Sequence, residues 1–342
     1  DGIQSECLVY VYGEKVFRQV YGYTPFNISL TPFLKAPGED NVLAIRVTNP
    51  GVNSRWFTGF GIYRDVTLYM LNPVHFVDRG VYITTPGISE TEASINLAVQ
   101  VSNENERNDT INLLAEILAP DRSIASTVEK QVILEAGQTH AETLLVSVNN
   151  PALWQINSPA LYTARLMIKQ DDLLMDEYTV DFGIRSIDFS AERGFQLNGK
   201  QVLLKGANLH HDNGLLGAAA FERAEYRRVE IMKKNGFNSI RTSHNPPSKH
   251  FLKACDRLGM LVIDEAFDMW ELPKRRNDYH LYFKKHWEFD LEAMMLRDRN
   301  HPCIIMWSFG NETKERSRPR GLEIAKMLGD KIRSIDSCLL YT

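Results

Sequence analysis

The sequence predicts a multidomain protein of β plus α/β class: two all-β regions followed by the opening units of a helix-covered parallel sheet. Three observations carry this reading. At 342 residues the chain exceeds one ordinary core, so two or three domains are expected. Short strand-like runs separated by turn residues fill the first half. After Arg185 the rhythm changes, and apolar strands alternate with helix-period segments.

Residues 1–72 read as short strands and turns. "LVYVYGEKV" is a hairpin turning at Gly13-Glu14, and "NVLAIRVTNP" alternates until Pro50. Aromatic and Gly residues then crowd into "SRWFTGFGIYRDVTLYM" before the break at Leu71-Asn72-Pro73. Over residues 73–184 strand-like runs recur, among them "VYITT", "ASINLAVQV", "TINLLAEIL", "HAETLLVSV" and "LYTARLMIK". Their regular spacing predicts an immunoglobulin-like β-sandwich without its disulfide.

Residues 185–342 form the third unit. "QVLLKGANLHH" reads as a strand and "FERAEYRRVEIMKKNG" as a helix closed by Gly236. "FNSIRTSHNPP", "MLVIDEAFD" and "CIIMWSFGNE" are further strands, separated by the helix patterns "KHFLKACDRLG" and "LYFKKHWEFDLEAMMLRDRNHP". Strands apolar through their middles indicate a parallel sheet buried on both faces. Each ends in polar residues: His210-His211-Asp212, Arg241 with His244, Asp264-Glu265 with Asp268, and Asn311-Glu312. In a (β/α)8 barrel such ends converge on one rim, whereas a doubly wound sheet gathers them at a switch point. Four strands are compatible with either.

The composition excludes several roles. A net charge of -4 with no basic stripe argues against nucleic acid, and a neutral or weakly polar substrate fits it better. No apolar run reaches the roughly 18 residues of a membrane span. Cys7, Cys255, Cys303 and Cys338 lack metal or redox spacing and are expected to be packed thiols. The compartment stays open, including a periplasmic or secreted address if a signal peptide precedes Asp1.

Asn311-Glu312 alone says little, because an acid at a helix start is commonplace. Three other strand ends bringing Arg, His, Asp and Glu near Trp270 and Trp307 suit a sugar site, which mixes hydroxyl-binding groups with apolar ring faces. Glycosidic bonds break with one carboxylic acid protonating the leaving oxygen and a second carboxylate meeting the anomeric carbon. Glu312 is a candidate for the acid. Asp264-Glu265 is expected to support the rim by pairing with Arg241. Trp270 is a candidate sugar platform and Trp307 a barrel filler. Adjacent histidines seldom ligate one ion, so His210, His211 and Asp212 are read as substrate or rim contacts rather than a metal site.

The motifs "SRWFTGFGIYRDVTL", "FGIRSIDF", "GKQVLLKGANLHHD", "NGFNSIRTSHNPPS", "CDRLGMLVIDEAFDMW" and "RDRNHPCIIMWSFGNE" resemble, in order, those of the family-2 glycoside hydrolases, which include β-galactosidases and β-glucuronidases. The resemblance implies a partial jelly-roll sugar-binding-like domain at 1–72, an immunoglobulin-like sandwich at 73–184 and the first half of a TIM barrel at 185–342. It implies that Glu312 is the general acid/base of a retaining mechanism and that Asn311 contacts a sugar 2-hydroxyl. Arg241 and His244 match supporting rim positions. No cofactor is implied. Where some members hold magnesium with Glu-x-His, Asp268-Met269-Trp270 has no histidine, so no metal is expected there. Where some place an Asp beside the sugar, Asn53-Ser54-Arg55 stands instead.

Positions 185 to 342 fall short of the roughly 250 residues of a whole barrel. The chain is therefore expected to be an internal fragment lacking the family's nucleophile and inactive alone. Its exposed parallel edge invites aggregation or completion by another copy, a homo-oligomer. The expected substrate is an oligosaccharide or glycoside with a terminal β-linked galactose. The alternatives are a β-glucuronidase or a non-catalytic carbohydrate-binding fragment.

Overall fold

The computed structural model describes residues 1–337 and the backbone of 340 and 341; Cys338 lies outside the described residues. Cys7, Cys255 and Cys303 are free and buried, as packed thiols should be. No helix among the described residues is long and apolar enough to cross a membrane.

The first region is a three-stranded antiparallel sheet ordered Glu14–Gln19, Glu6–Val11, Leu43–Thr48. The expected hairpin is present, but its turn falls on Tyr12-Gly13 rather than Gly13-Glu14. Both central residues have positive φ, 49° and 85°, the requirement of a primed two-residue turn, and glycine meets it at the second position without strain.

The middle region is a sandwich of two antiparallel sheets. One is ordered Thr139–Asn149, Glu92–Asn103, Val74–Ile88, and the other Leu173–Phe182, Tyr162–Gln170, Asp109–Leu118, Ile124–Leu134. The core follows the two-residue period: Ile95, Leu97, Val99 and Val101 meet Ile111, Leu113, Ala115 and Ile117 across the sheets. Ile124–Leu134 and Leu173–Phe182 were not among the runs named from the sequence. Both are edge strands, where only Val132, Leu134 and Phe182 are buried, so the apolar signal that marks a strand is weak.

The last region is a parallel sheet in chain order: Gly206–His210, Ser239–Ser243, Leu261–Glu265, Ile304–Ser308 and a fifth pairing at Leu340–Tyr341, beyond the four strands read from the sequence. Helices Glu222–Lys234, Lys249–Leu258, Phe283–Asp298 and Pro319–Ile335 connect them. Ser248 caps the second helix by accepting from the Phe251 amide at 3.1 Å, and Gly259 ends it in the left-handed conformation. Val262, Ile304, Ile305 and Trp307 are almost wholly buried against Leu252, Leu291, Met294, Leu328 and Ile332 of the helices.

The first region docks on this sheet through polar as well as apolar contacts. Asp290, on the third helix, accepts from Thr24 (2.9 Å), from Gln19 (3.1 Å) and from the Tyr279 hydroxyl. Burial pushes its carboxyl up to about 7, and these donors only partly offset that. The folded state therefore holds a proton that the unfolded chain releases near pH 3.9, so stability falls as pH rises across the window between those values. At about 1.4 kcal/mol per unit the difference is on the order of 4 kcal/mol. Thermal melts should show the parent protein losing stability relative to Asp290→Asn between about pH 4 and 8, since the amide cannot ionise. Parallel pH profiles would refute this assignment.

Candidate active site

The parallel strands turn outward at one rim, and the side chains there form a continuous hydrogen-bonded chain. Glu265, last residue of the third strand and fully buried, anchors it. Its Oε2 accepts from Arg241 (Nε at 2.8 Å, with a second guanidinium contact) and from Ser308 Oγ at 2.6 Å; its Oε1 lies 2.6 Å from His244 Nδ1. Arg241 also donates to Asn311 Oδ1 at 3.2 Å. Asn311 in turn donates to Asp268 Oδ1 at 2.8 Å, where Arg55 and Lys274 also donate, each at 2.7 Å. Arg55 closes the chain by donating to Glu312 Oε2 at 3.0 Å.

This electrostatic arrangement follows from burial and pairing. Burial alone would raise the Asp268 carboxyl, but the bonds from Arg55, Asn311 and Lys274 outweigh it and hold the group below the usual carboxylate range. Its other oxygen, Oδ2, is buried and meets no donor among the described residues. Glu312 is exposed, and the Arg55 guanidinium holds its carboxyl down. Its backbone sits at φ 44°, a conformation of order 1 kcal/mol above the helical one for a side-chain-bearing residue. The preceding Gly310 admits no side chain: a Cβ there would stand 2.9 Å from the Trp270 ring.

Among the residues named from the sequence, Arg241, His244, Asp268, Asn311 and Glu312 are thus brought together; of the expected pair Asp264-Glu265, Glu265 supports Arg241, whereas Asp264 is buried and does not reach it. His210 is half-buried beside them, its ring 5.5 Å from that of His244, and burial and that neighbour keep it neutral toward lower pH. Three placements differ from the expectation. Trp270 is buried and donates its indole N–H to the Phe309 carbonyl at 2.8 Å, so it props the Gly310 loop from beneath and offers no open face. His211 is buried between Tyr23 and Tyr63, facing the Thr58 carbonyl at 3.2 Å; burial pushes its pKa down to about 4. It seals the junction with the first region instead of facing the rim. Asp212 is exposed and makes no hydrogen bond or ion pair among the described residues. Trp307 fills the sheet, as anticipated, and bonds Asp336 at 2.9 Å.

Arg55, Trp56 and Lys274 were missed. Arg55 and Trp56 lie in the quoted "SRW" motif but reach the rim from a separate region, a contact that no local period reports. The aromatic ring at the rim is Trp56, 4.8 Å from His210 and 5.5 Å from His244 between ring centres. Among the described residues no group of three or more His, Cys, Asp and Glu side chains is placed to hold a metal ion.

Comparison with known proteins bears on this arrangement. The family model described as "Glycosyl hydrolases family 2, TIM barrel domain" matches residues 191–340, and "Glycosyl hydrolases family 2" matches 74–185. A β-galactosidase of Bacteroides ovatus is 43% identical over 317 residues, 92% of this chain and 37% of that protein. A putative β-glucuronidase of Formosa agariphila is 32% identical over 96% of this chain and 31% of its own length. The solved structure of a family 2 member from Bacteroides cellulosilyticus superposes with TM-score 0.97 at 43% identity, covering 99% of this chain and 44% of that one. A Bacteroides uniformis β-glucuronidase gives 0.89 at 29% identity, over all of this chain and 43% of its own. The chain therefore spans well under half the length of these relatives.

Proposed function

Because the chain belongs to family 2 of the glycosyl hydrolases, we propose that the protein carrying it is a retaining exo-β-glycosidase, a β-galactosidase, with Glu312 as its acid/base. The observation that carries this reading is the placement of Glu312 and Asn311 at one rim, linked through Arg55 and the ionised Asp268 carboxylate. Glu312 protonates the leaving oxygen and then deprotonates the incoming water. Asn311, held by Arg241 and Asp268, presents its amide to the 2-hydroxyl, where hydrogen bonding strengthens as charge develops. Trp56 supplies the apolar face, and Glu265 holds Arg241 and His244 in place.

Glu265 and Asp268 are each consumed by cations, so neither is assigned as nucleophile. That role is assigned outside residues 1–342, and residues 1–342 alone should turn over no glycoside. The preference for galactose rests on the 43% identical β-galactosidase; the β-glucuronidase relatives favour a uronic acid as the second reading. Full-length protein assayed with nitrophenyl β-galactoside and β-glucuronide should hydrolyse the galactoside. Hydrolysis of the glucuronide instead would replace the substrate assignment, and sugar binding without any turnover would leave a carbohydrate-binding module.

A further inference from the structure

Beside the Glu312 loop lies an open depression of about 410 Å³ with basic walls: Lys274, Arg275, Arg276, His280 and Lys314. The chain as a whole carries a net charge of -4, so this concentration of cations is local. Lys274 is committed to Asp268, and His280 to Asp278. Arg275, Arg276 and Lys314 are exposed and form no ion pair with any described carboxylate. Nearby acids are already engaged. Asp278 is buried and accepts from the backbone amides of Lys274 (2.8 Å) and Arg275 (2.6 Å), while Glu271 pairs with Arg320.

The loop that carries these cations is also held in place. Besides the Asp278 bonds, Lys314 donates to the Pro273 carbonyl, Glu315 accepts from the Leu272 amide at 2.6 Å, and Asn277 reaches back to the Gly51 carbonyl at 2.9 Å. Two guanidinium forks on a pinned loop favour planar or tetrahedral oxyanions, which they can grip with paired hydrogen bonds. Lys314 stands two residues beyond Glu312. An acid that protonates the leaving oxygen has the leaving group on its far side, so the depression borders the leaving-group end of the site.

We propose that this depression is a leaving-group subsite for an anionic glycan, gripping a sulfate ester or uronate carboxylate on the sugar next to the bond that is cleaved. The orientation rests on the assignment of Glu312; the anion preference does not. It sharpens the neutral-substrate expectation drawn from net charge, because the charged part of the substrate meets a local patch and the terminal sugar does not.

Calorimetric titration of full-length protein with sulfated β-galactan oligosaccharide, its desulfated counterpart and a uronate-bearing oligosaccharide of equal length tests this. At about 50 mM salt at least one anionic ligand should bind roughly tenfold more tightly than the neutral one, and the advantage should vanish near 1 M, where charges are screened beyond about 3 Å. Which anion wins distinguishes sulfate from carboxylate. Arg275→Gln/Arg276→Gln/Lys314→Gln should abolish the preference and leave nitrophenyl galactoside turnover within about twofold, whereas Arg275→Lys/Arg276→Lys, which keeps the charge and loses the fork, should retain only part of the preference. Equal binding of all three ligands, or a preference that survives the triple substitution, overturns the proposal. Failure of galactoside turnover in the parent protein would overturn the activity assignment and leave the binding comparison still decisive.

Discussion

Replacing Glu312 with Gln is expected to lower kcat for an unactivated β-galactoside by about 10²- to 10⁴-fold in the full-length protein, the range a general acid/base supplies. The loss should be smallest for a dinitrophenyl glycoside, whose leaving group departs without a proton, and an added small anion such as azide should restore part of it by replacing the activated water. Arg55 gives the same carboxylate a second signature. The guanidinium 3.0 Å away favours the ionised form, while the first chemical step needs the protonated one. The alkaline limb of the kcat/KM profile reports that ionisation in the free enzyme. Removing the positive charge in Arg55→Gln raises the carboxyl, so the limb should move to higher pH. Undiminished activity in Glu312→Gln would remove it from the mechanism; an unmoved limb would mean Arg55 does not govern its proton.

The second large effect concerns stability. Glu265→Ala deletes the acceptor shared by Arg241, His244 and Ser308 in a fully buried position. Stripping one partner from a buried ion pair leaves the other unpaired, a loss of about 3–5 kcal/mol. The low end is expected because 28% of the Arg241 side chain stays in water. Denaturant midpoints at constant slope would measure it. Glu265→Gln, which keeps the volume and one acceptor, should lose less than half as much. Activity should fall in both variants, since Arg241 no longer steadies Asn311. A midpoint unchanged in Glu265→Ala would show that the cluster holds no folding energy.

What could be read in advance followed the physics of each element. Strands buried on both faces, such as Ile304–Ser308, appear as unbroken apolar runs, and their polar ends name the rim; hence Arg241, His244, Asp268, Asn311 and Glu312 were picked out together. Edge strands such as Ile124–Leu134 bury little and went unnamed. Trp270 and Trp56 exchanged roles for a related reason. Both stand in aromatic motifs, but which indole faces the rim depends on how separate regions dock, and residue spacing carries no trace of that. Arg275 and Arg276 were visible as adjacent cations, but averaging charge over the whole chain hid them.

The bond between Arg55 and Glu312 joins positions 257 residues apart. During synthesis at about 5–20 residues per second, the arginine waits roughly 13 to 50 seconds for its carboxylate. Through that interval the rim has no Glu312, and the nascent chain cannot pair Arg55 with its carboxylate before residue 312 has been made. Completion of the site is thereby tied to the order of translation, and pauses between codons 55 and 312 become a means of setting when it forms.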